Sequence, residues 1–209
     1  MYYKKPFFIT FEGIDGSGKT TQIKKIYKKL IKKKTHIHLT SEPTNGYIGK
    51  IIQEILLGIK KVDEHTLTTL FLSDRLEHIL NPNYGILKYL KSNISILCDR
   101  YYFSSYAYHS SYVNQNWIID CNKKCKEFLK PDLIFFLNIS IEECLIRIKK
   151  RNKKYQFYEK KNFLTQIKEN YLKAFNSFKE EENIFFINAN QTEDKVFLDL
   201  WKIIKKKFF

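Results

Sequence analysis

Glycine, proline, alanine and arginine are all scarce in this chain of 209 residues: seven Gly, four Pro, three Ala and four Arg, beside 33 Lys, 27 Ile and 15 Asn. So little proline and glycine, with no low-complexity run, excludes collagen-like and linker-rich chains. The scarce types share GC-rich codons, so drift toward AT-rich codons accounts for the lysine excess. The formal net charge of +15 then requires no polyanionic partner. Lysines recur in pairs and triples along the whole length, such as Lys32 to Lys34 and Lys205 to Lys207, as solvated helix faces do. Nucleic-acid binding as the main function demands clustered charge and is disfavoured. Under such drift, a surviving Arg or Gly marks a position where Lys or Asn would fail.

Cysteine is sparse too. Cys98, Cys121, Cys125 and Cys144 occur without a secretory leader, in a chain long enough to bury a core unaided, so they read as reduced thiols. Cys121 and Cys125 have no second pair and no nearby His, which argues against zinc. No apolar run approaches the roughly 18 residues of a membrane span, and the expectation is a cytoplasmic protein, neither membrane-spanning nor exported. An apolar fraction of 44% excludes general disorder.

What is present alternates between short β-rich runs and longer amphipathic segments, the pattern of βαβ units on a parallel sheet. Strands are expected at Phe7–Phe11, Ile37–Leu39, Ile94–Cys98, Leu133–Ile139 and Ile184–Ile187. Helices are expected at Lys19–Lys34, Ile48–Leu57, Leu67–Ile79, Asn83–Lys91, a two-piece Ser104–Leu129 region, Ile141–Arg151, Lys160–Glu181 and Asp194–Phe209. No repeat or boundary divides residues 1–209, which read as one domain. The stretch from Lys149 to Lys161 is polar, basic and aromatic, and suits either a mobile lid or an exposed connection.

Directly after the first strand stands GIDGSGKT, from Gly13 to Thr20, with three of the seven glycines in one loop. This is a complete phosphate-binding P-loop between strand and helix. Gly13, Ile14, Asp15, Gly16, Ser17 and Gly18 offer backbone N–H groups to phosphate oxygens, with Thr21 continuing the helix start. Lys19 supplies a point charge for the β- and γ-phosphates. Thr20 offers a hydroxyl to Mg²⁺, and Asp99, ending the third strand, supplies the acid on the metal side. The motif implies ATP with Mg²⁺. Three outcomes for the γ-phosphate compete: a kinase, a GTPase switch and a remodelling ATPase. Asn122-Lys123 is followed by Lys124-Cys125, so the guanine-reading loop of a GTPase is not completed, and small size favours a kinase. Arg100, next to Asp99, can bridge donor and acceptor phosphates with a planar fork that Lys lacks.

The segments FEGIDGSGKTTQ, TSEPTNGYIGK, TLFLSDRLEH, CDRYYFSSYAYH, KPDLIFFLNIS and NANQ together resemble the thymidylate kinase family over almost the entire chain. The resemblance implies a three-layer α/β P-loop fold, a five-stranded parallel sheet flanked by helices, with a short lid at about 147–161. It implies transfer of the ATP γ-phosphate to dTMP, in a homodimer. Asp15 would accept from the sugar 3′-hydroxyl, Phe71 would stack on thymine, and Arg75 would donate to a thymine carbonyl. Ser104 and His109 would contact the base, His109 standing where the family more often has Gln. Tyr108 would crowd the sugar 2′ position, and Glu42, Pro43, Leu57 and Tyr158 complete the expected dTMP site. The chain departs from the family in two places. Ser41 replaces an Arg before Glu42-Pro43, which leaves more of the acceptor phosphate to Arg100. The P-loop carries no Arg, so the resemblance assigns a catalytic arginine to the lid, Arg151 first and Arg147 second, since the later lid position is Phe157. A different small nucleotide or deoxynucleoside kinase is the alternative, with a nucleotide-dependent nucleic-acid-binding protein behind it.

Overall fold

A computed structural model describes residues 5–150 and 161–209. Five parallel strands form one sheet in the order β2-β3-β1-β4-β5: β1 Phe8–Glu12, β2 Ile37–Ser41, β3 Ser95–Asp99, β4 Leu133–Asn138 and β5 Ile184–Asn188. Every expected strand is present, displaced by two residues at most. β1 and β4 run through the middle, and their continuous apolar sequences are covered on both faces, as a parallel sheet requires. Each of the buried Phe8, Phe11, Phe135 and Phe136 contributes roughly 1.5–3 kcal/mol of transfer free energy. The edge strands are more open: Leu39 on β2 and Phe186 on β5 reach solvent.

Helices cover the sheet: α1 Lys19–Lys32, α2 Tyr47–Leu56, α3 Glu64–Leu80, α4 Ile86–Lys91, α5 Tyr102–Tyr108, α6 Gln115–Phe128, α7 Ile141–Lys150, α8 Lys161–Phe178 and α9 Glu193–Phe208. Capping explains where they depart from the periodic pattern. α3 starts three residues earlier than expected because Asp63 Oδ1 accepts from the His65 N–H at 2.8 Å, completing an N-cap before the apolar positions begin. α4 starts later, because Asn81 Oδ1 takes the N–H groups of Asn83 and Tyr84 into a turn. The long fifth segment breaks after α5 into a 3₁₀ turn at His109–Ser111, and α6 restarts where Asn114 Oδ1 caps Asn116 and Trp117.

One aromatic layer fixes α8 over the sheet. Phe175 packs 4.6 Å from Phe103 of α5 and 4.9 Å from Phe136 of β4, centroid to centroid, and stacks on Tyr171 one turn earlier. Tyr171 is thereby carried to the carboxyl ends of the strands. Those ends hold the P-loop after β1, Glu42 after β2 and Arg100 after β3, the edge where open α/β sheets bind ligands.

Candidate active site

The P-loop is built by its glycines. Gly13 and Gly16 have φ of 143° and 83°, which side-chain-bearing residues rarely adopt. A Cβ on Gly13 would stand 2.9 Å from Ser17 Oγ, and one on Gly16 would stand 3.0 Å from the Cys144 carbonyl oxygen of α7. The scarce glycines therefore persist where a methyl group has no room. Lys19, the first residue of α1, folds its Nζ back onto the carbonyls of Gly13 (2.9 Å) and Ile14 (3.2 Å). Burial and the nearby Arg100 lower its pKa, against the pull of Asp99 and Asp15. Ser17 Oγ is buried without a hydrogen bond among the described residues.

Thr20 and Asp99 meet as the sequence predicts: Thr20 Oγ1 donates to Asp99 Oδ2 at 2.8 Å. The other carboxylate oxygen, Oδ1, is buried and has no partner among the described residues. An orphaned acid oxygen beside a hydroxyl suits Mg²⁺, which takes one or two protein oxygens and fills its octahedron with water and phosphate. Among the described residues no cluster of three or more His, Cys, Asp or Glu offers a more closed metal site.

Arg100 has φ 74°, a left-handed conformation costing roughly 1–3 kcal/mol in a residue with a side chain. That turn sends the guanidinium beneath the P-loop. Nη2 donates to Asp15 Oδ1 (2.6 Å) and Tyr108 Oη (2.9 Å), while Nη1 donates to the Gly13 carbonyl (3.2 Å), Ser104 Oγ (3.2 Å) and Tyr171 Oη (3.3 Å). Burial alone would raise the Asp15 pKa, but Arg100 and Lys19 hold it below the usual carboxylate range.

Beside Arg100 opens a cleft of about 170 Å³. Asp15, Glu42, Pro43, Phe71, Arg75, Ser104, Tyr108 and His109, all expected there, line it. Phe71 and His109 meet edge to face at 5.0 Å. Burial, aided by the charge of Arg75, pushes the His109 pKa down to about 3, so its imidazole is neutral. Arg75 is only 1% exposed. Its Nε and Nη2 both reach Glu42 Oε2, at 2.8 and 2.7 Å, and Nη1 reaches Asn122 Oδ1 at 2.5 Å. Glu42 is thus occupied as the anchor of Arg75, with its other oxygen 3.1 Å from His78 Nδ1.

One expectation shifts by one residue, and another gains its neighbour beside it. Leu57 is 64% exposed, and the neighbouring Leu56 lines the cleft. Ser104 is tied behind Arg100, donating to Glu12 Oε2 at 2.6 Å, whereas Ser105 presents a buried hydroxyl with no partner among the described residues to the same cleft. In each case one residue rotates the side chain by about 100° around its helix. Arg151 and Tyr158 lie outside the described residues.

Arg147 is brought to a different place. A second cleft of about 460 Å³ lies across the P-loop, lined by Ser17, Gly18, Thr21, Gln22 and Arg147 together with Asn190 to Glu193. There Arg147 Nη2 donates to the Ala189 carbonyl (2.9 Å) and Nε to Glu143 Oε1 (2.8 Å). It lines this cleft and not the one around Arg75. Glu12, Asn122 and Tyr171 were missed by sequence reasoning; only Glu12, a charge ending an apolar strand, carried a visible signal.

A family model described as thymidylate kinase matches residues 11–199. Relatives carrying the name "Probable thymidylate kinase" include that of Methanocaldococcus jannaschii, 41% identical over 185 residues, or 88% of this chain and 87% of that protein. That of Sulfolobus acidocaldarius is 40% identical over 202 residues, covering 95% of this chain and 96% of the other. That of Methanococcus aeolicus is 36% identical over 204 residues, 96% of each. With the P-loop and the Arg100 cleft at one end of a five-stranded parallel sheet, these matches show that the chain belongs to the thymidylate kinase family.

Proposed function

We propose that residues 1–209 form one kinase domain that transfers the γ-phosphate of ATP to dTMP, giving ADP and dTDP. The observation that carries this reading is Arg100, held under the P-loop at the mouth of a cleft that contains Phe71, Arg75 and Tyr108. A phosphoryl donor on one side and a nucleoside monophosphate on the other would meet at its fork. An acceptor phosphate oxygen attacks the γ-phosphorus in line while the bond to the β-phosphate oxygen breaks, and positioning with charge neutralisation supplies most of the catalysis. No general base is required, because the acceptor phosphate is already ionised.

Each residue has a part in that scheme. Lys19 releases its two loop carbonyls and turns to the phosphates, and the P-loop N–H groups hold the β-phosphate. Thr20 and Asp99 would hold Mg²⁺, which would supply positive charge against that of the phosphates. Phe71 stacks on the base and Arg75, its charge matched by Glu42, donates to a neutral carbonyl. Asp15 and Tyr108 take the sugar. Arg147 belongs to the donor cleft, which leaves Arg151 as the catalytic arginine of the lid. We further propose a homodimer through α3, the helix that carries Phe71, and its neighbours, beside which Ile51, Leu57, Ile59 and Val62 of α2 and the following loop are exposed. Scattering should then give twice the chain mass of 25.2 kDa. Among the described residues no helix is long and apolar enough to cross a membrane, and a cytoplasmic location is proposed from the substrates.

A coupled ADP-release assay over dTMP, dUMP, dCMP, dAMP, GMP and deoxythymidine tests the reading. dTMP should show the highest kcat/KM; turnover of another acceptor with none of dTMP would overturn it.

A further inference from the structure

Behind Arg100, on the side away from the cleft, lies a buried acid that the scheme above does not use. Glu12 closes β1 and is fully buried. Its Oε1 accepts the Tyr101 N–H at 2.8 Å. Its Oε2 accepts from two hydroxyls, Ser104 Oγ at 2.6 Å and Tyr171 Oη at 3.0 Å, which are themselves 2.7 Å apart. The same two oxygens are the acceptors of Arg100 Nη1. Three segments distant in sequence, β1, α5 and α8, thus converge on one nitrogen of one side chain.

We infer that Glu12 and Tyr171 are positioning residues for Arg100, acting through a proton order that only an acceptor at Glu12 Oε2 maintains. The inference rests on the acceptor-side reading of Arg100 given above. The two hydroxyls carry two protons between them. With a carboxylate at Glu12, the form held above about pH 7, both protons point away from Arg100, into Oε2 or along the Tyr171–Ser104 contact, so each oxygen turns a lone pair to Nη1. A donor in place of Oε2 reverses that order and sets O–H against N–H. Nη1 would then keep only the Gly13 carbonyl, and the fork could swing out of plane with the phosphates. Tyr171 adds a rigid ring stacked on Phe175, so its hydroxyl is placed without rotamer freedom. The backbone of Arg100 is already strained at φ 74°, and a strained residue persists only where its surroundings over-determine it. The Glu12 cluster does this from below, as Asp15 and Tyr108 do from above.

Tyr171→Phe removes one hydroxyl from a ring that keeps its packing. Glu12→Gln keeps shape; with its carbonyl on the Tyr101 N–H, its amide donates where Oε2 accepted. Both are compared with wild type, with Arg100→Lys and with the Arg100→Lys/Tyr171→Phe pair, by dTMP-dependent ADP release and by thermal melting of the full chain. Each single positioning variant should melt cooperatively and lose roughly 10- to 100-fold in kcat, the scale of a small misplacement of a catalytic group, with KM for ATP held within about two-fold. In the Arg100→Lys background, which has no fork to hold, the Tyr171→Phe loss should shrink below about two-fold. A kcat near wild type for Tyr171→Phe, or losses that multiply fully in the pair, would overturn the inference. If Glu12→Gln fails to fold, Tyr171→Phe decides alone. If wild type does not use dTMP, the function proposed above fails, and the same cycle is run on whichever acceptor the nucleotide panel identifies.

Discussion

Arg75 and Arg100 line one cleft beside the P-loop, both enclosed, and their partners differ in kind. Arg75 is sealed at 1% exposure with two donors on one carboxylate and a third on a buried amide. Arg100 keeps 16% of its side chain exposed and rests mostly on neutral oxygens, its one acidic partner, Asp15, being 37% exposed. A guanidinium fully matched by carboxylate can donate to a carbonyl but has little charge left for a phosphate. One held by a carbonyl, hydroxyls and an accessible acid keeps that charge for a phosphate group. On the proposed function, the same residue type would serve as a base reader in one setting and a phosphate clamp in the other because of what lies behind it.

The comparison breaks most visibly through catalysis. Arg100→Ala should lower kcat by ~10³-fold or more in the ADP-release assay, the range seen when an arginine is removed from a transferring phosphoryl group; retained turnover would end the phosphate role. Stability should separate the two settings next. Glu42→Ala leaves Arg75 buried and unmatched and should cost about 3–5 kcal/mol in urea unfolding, whereas Asp15→Ala, at an accessible pair, should cost about 1 kcal/mol or less. Equal losses would erase the distinction.

The acid behind Arg100 gives a pH signature. Burial raises the folded pKa of Glu12 to about 7 from the usual 4.5, outweighing the hydroxyls, Arg100 and the Tyr101 N–H that lower it. Between those values the folded chain holds a proton that the unfolded chain has released, so this group reduces stability as pH rises, by about 3 kcal/mol across the window. Unfolding titrations of wild type and Glu12→Gln at pH 4.5 and 7.5 should differ by that slope; parallel curves would refute it. The smallest effect is expected across the P-loop. Arg147→Ala should raise KM for ATP by about ten-fold and change kcat by less than about three-fold. A large kcat loss would return Arg147 to the transfer step.

Much of this was legible in the sequence, for physical reasons. Strands such as FITFE and LIFFLN are buried on both faces, so their apolar runs betray them directly, and Gly13 and Gly16 of the P-loop stand where a Cβ would strike Ser17 or Cys144. The surviving arginines marked the site for a related reason, since the planar guanidiniums of Arg75 and Arg100 each reach several partners at once. What stayed hidden was helical phase and partnership. Leu56 differs from Leu57, and Ser105 from Ser104, by a rotation that an apolar run leaves undetermined. Glu42 finds Arg75 33 positions on, and Glu12 finds Tyr171 159 positions on, contacts that no local pattern encodes.

The P-loop divides two clefts that have no lining residue in common, one lined by Phe71 and Tyr112, the other by Thr21 and Gln191. On the proposed function, a nucleotide in either covers no residue of the other. The kinetic scheme that follows has no obligatory order of arrival: initial-rate plots against either substrate should intersect, and a single molecule joining the two nucleosides through a phosphate chain should compete with both.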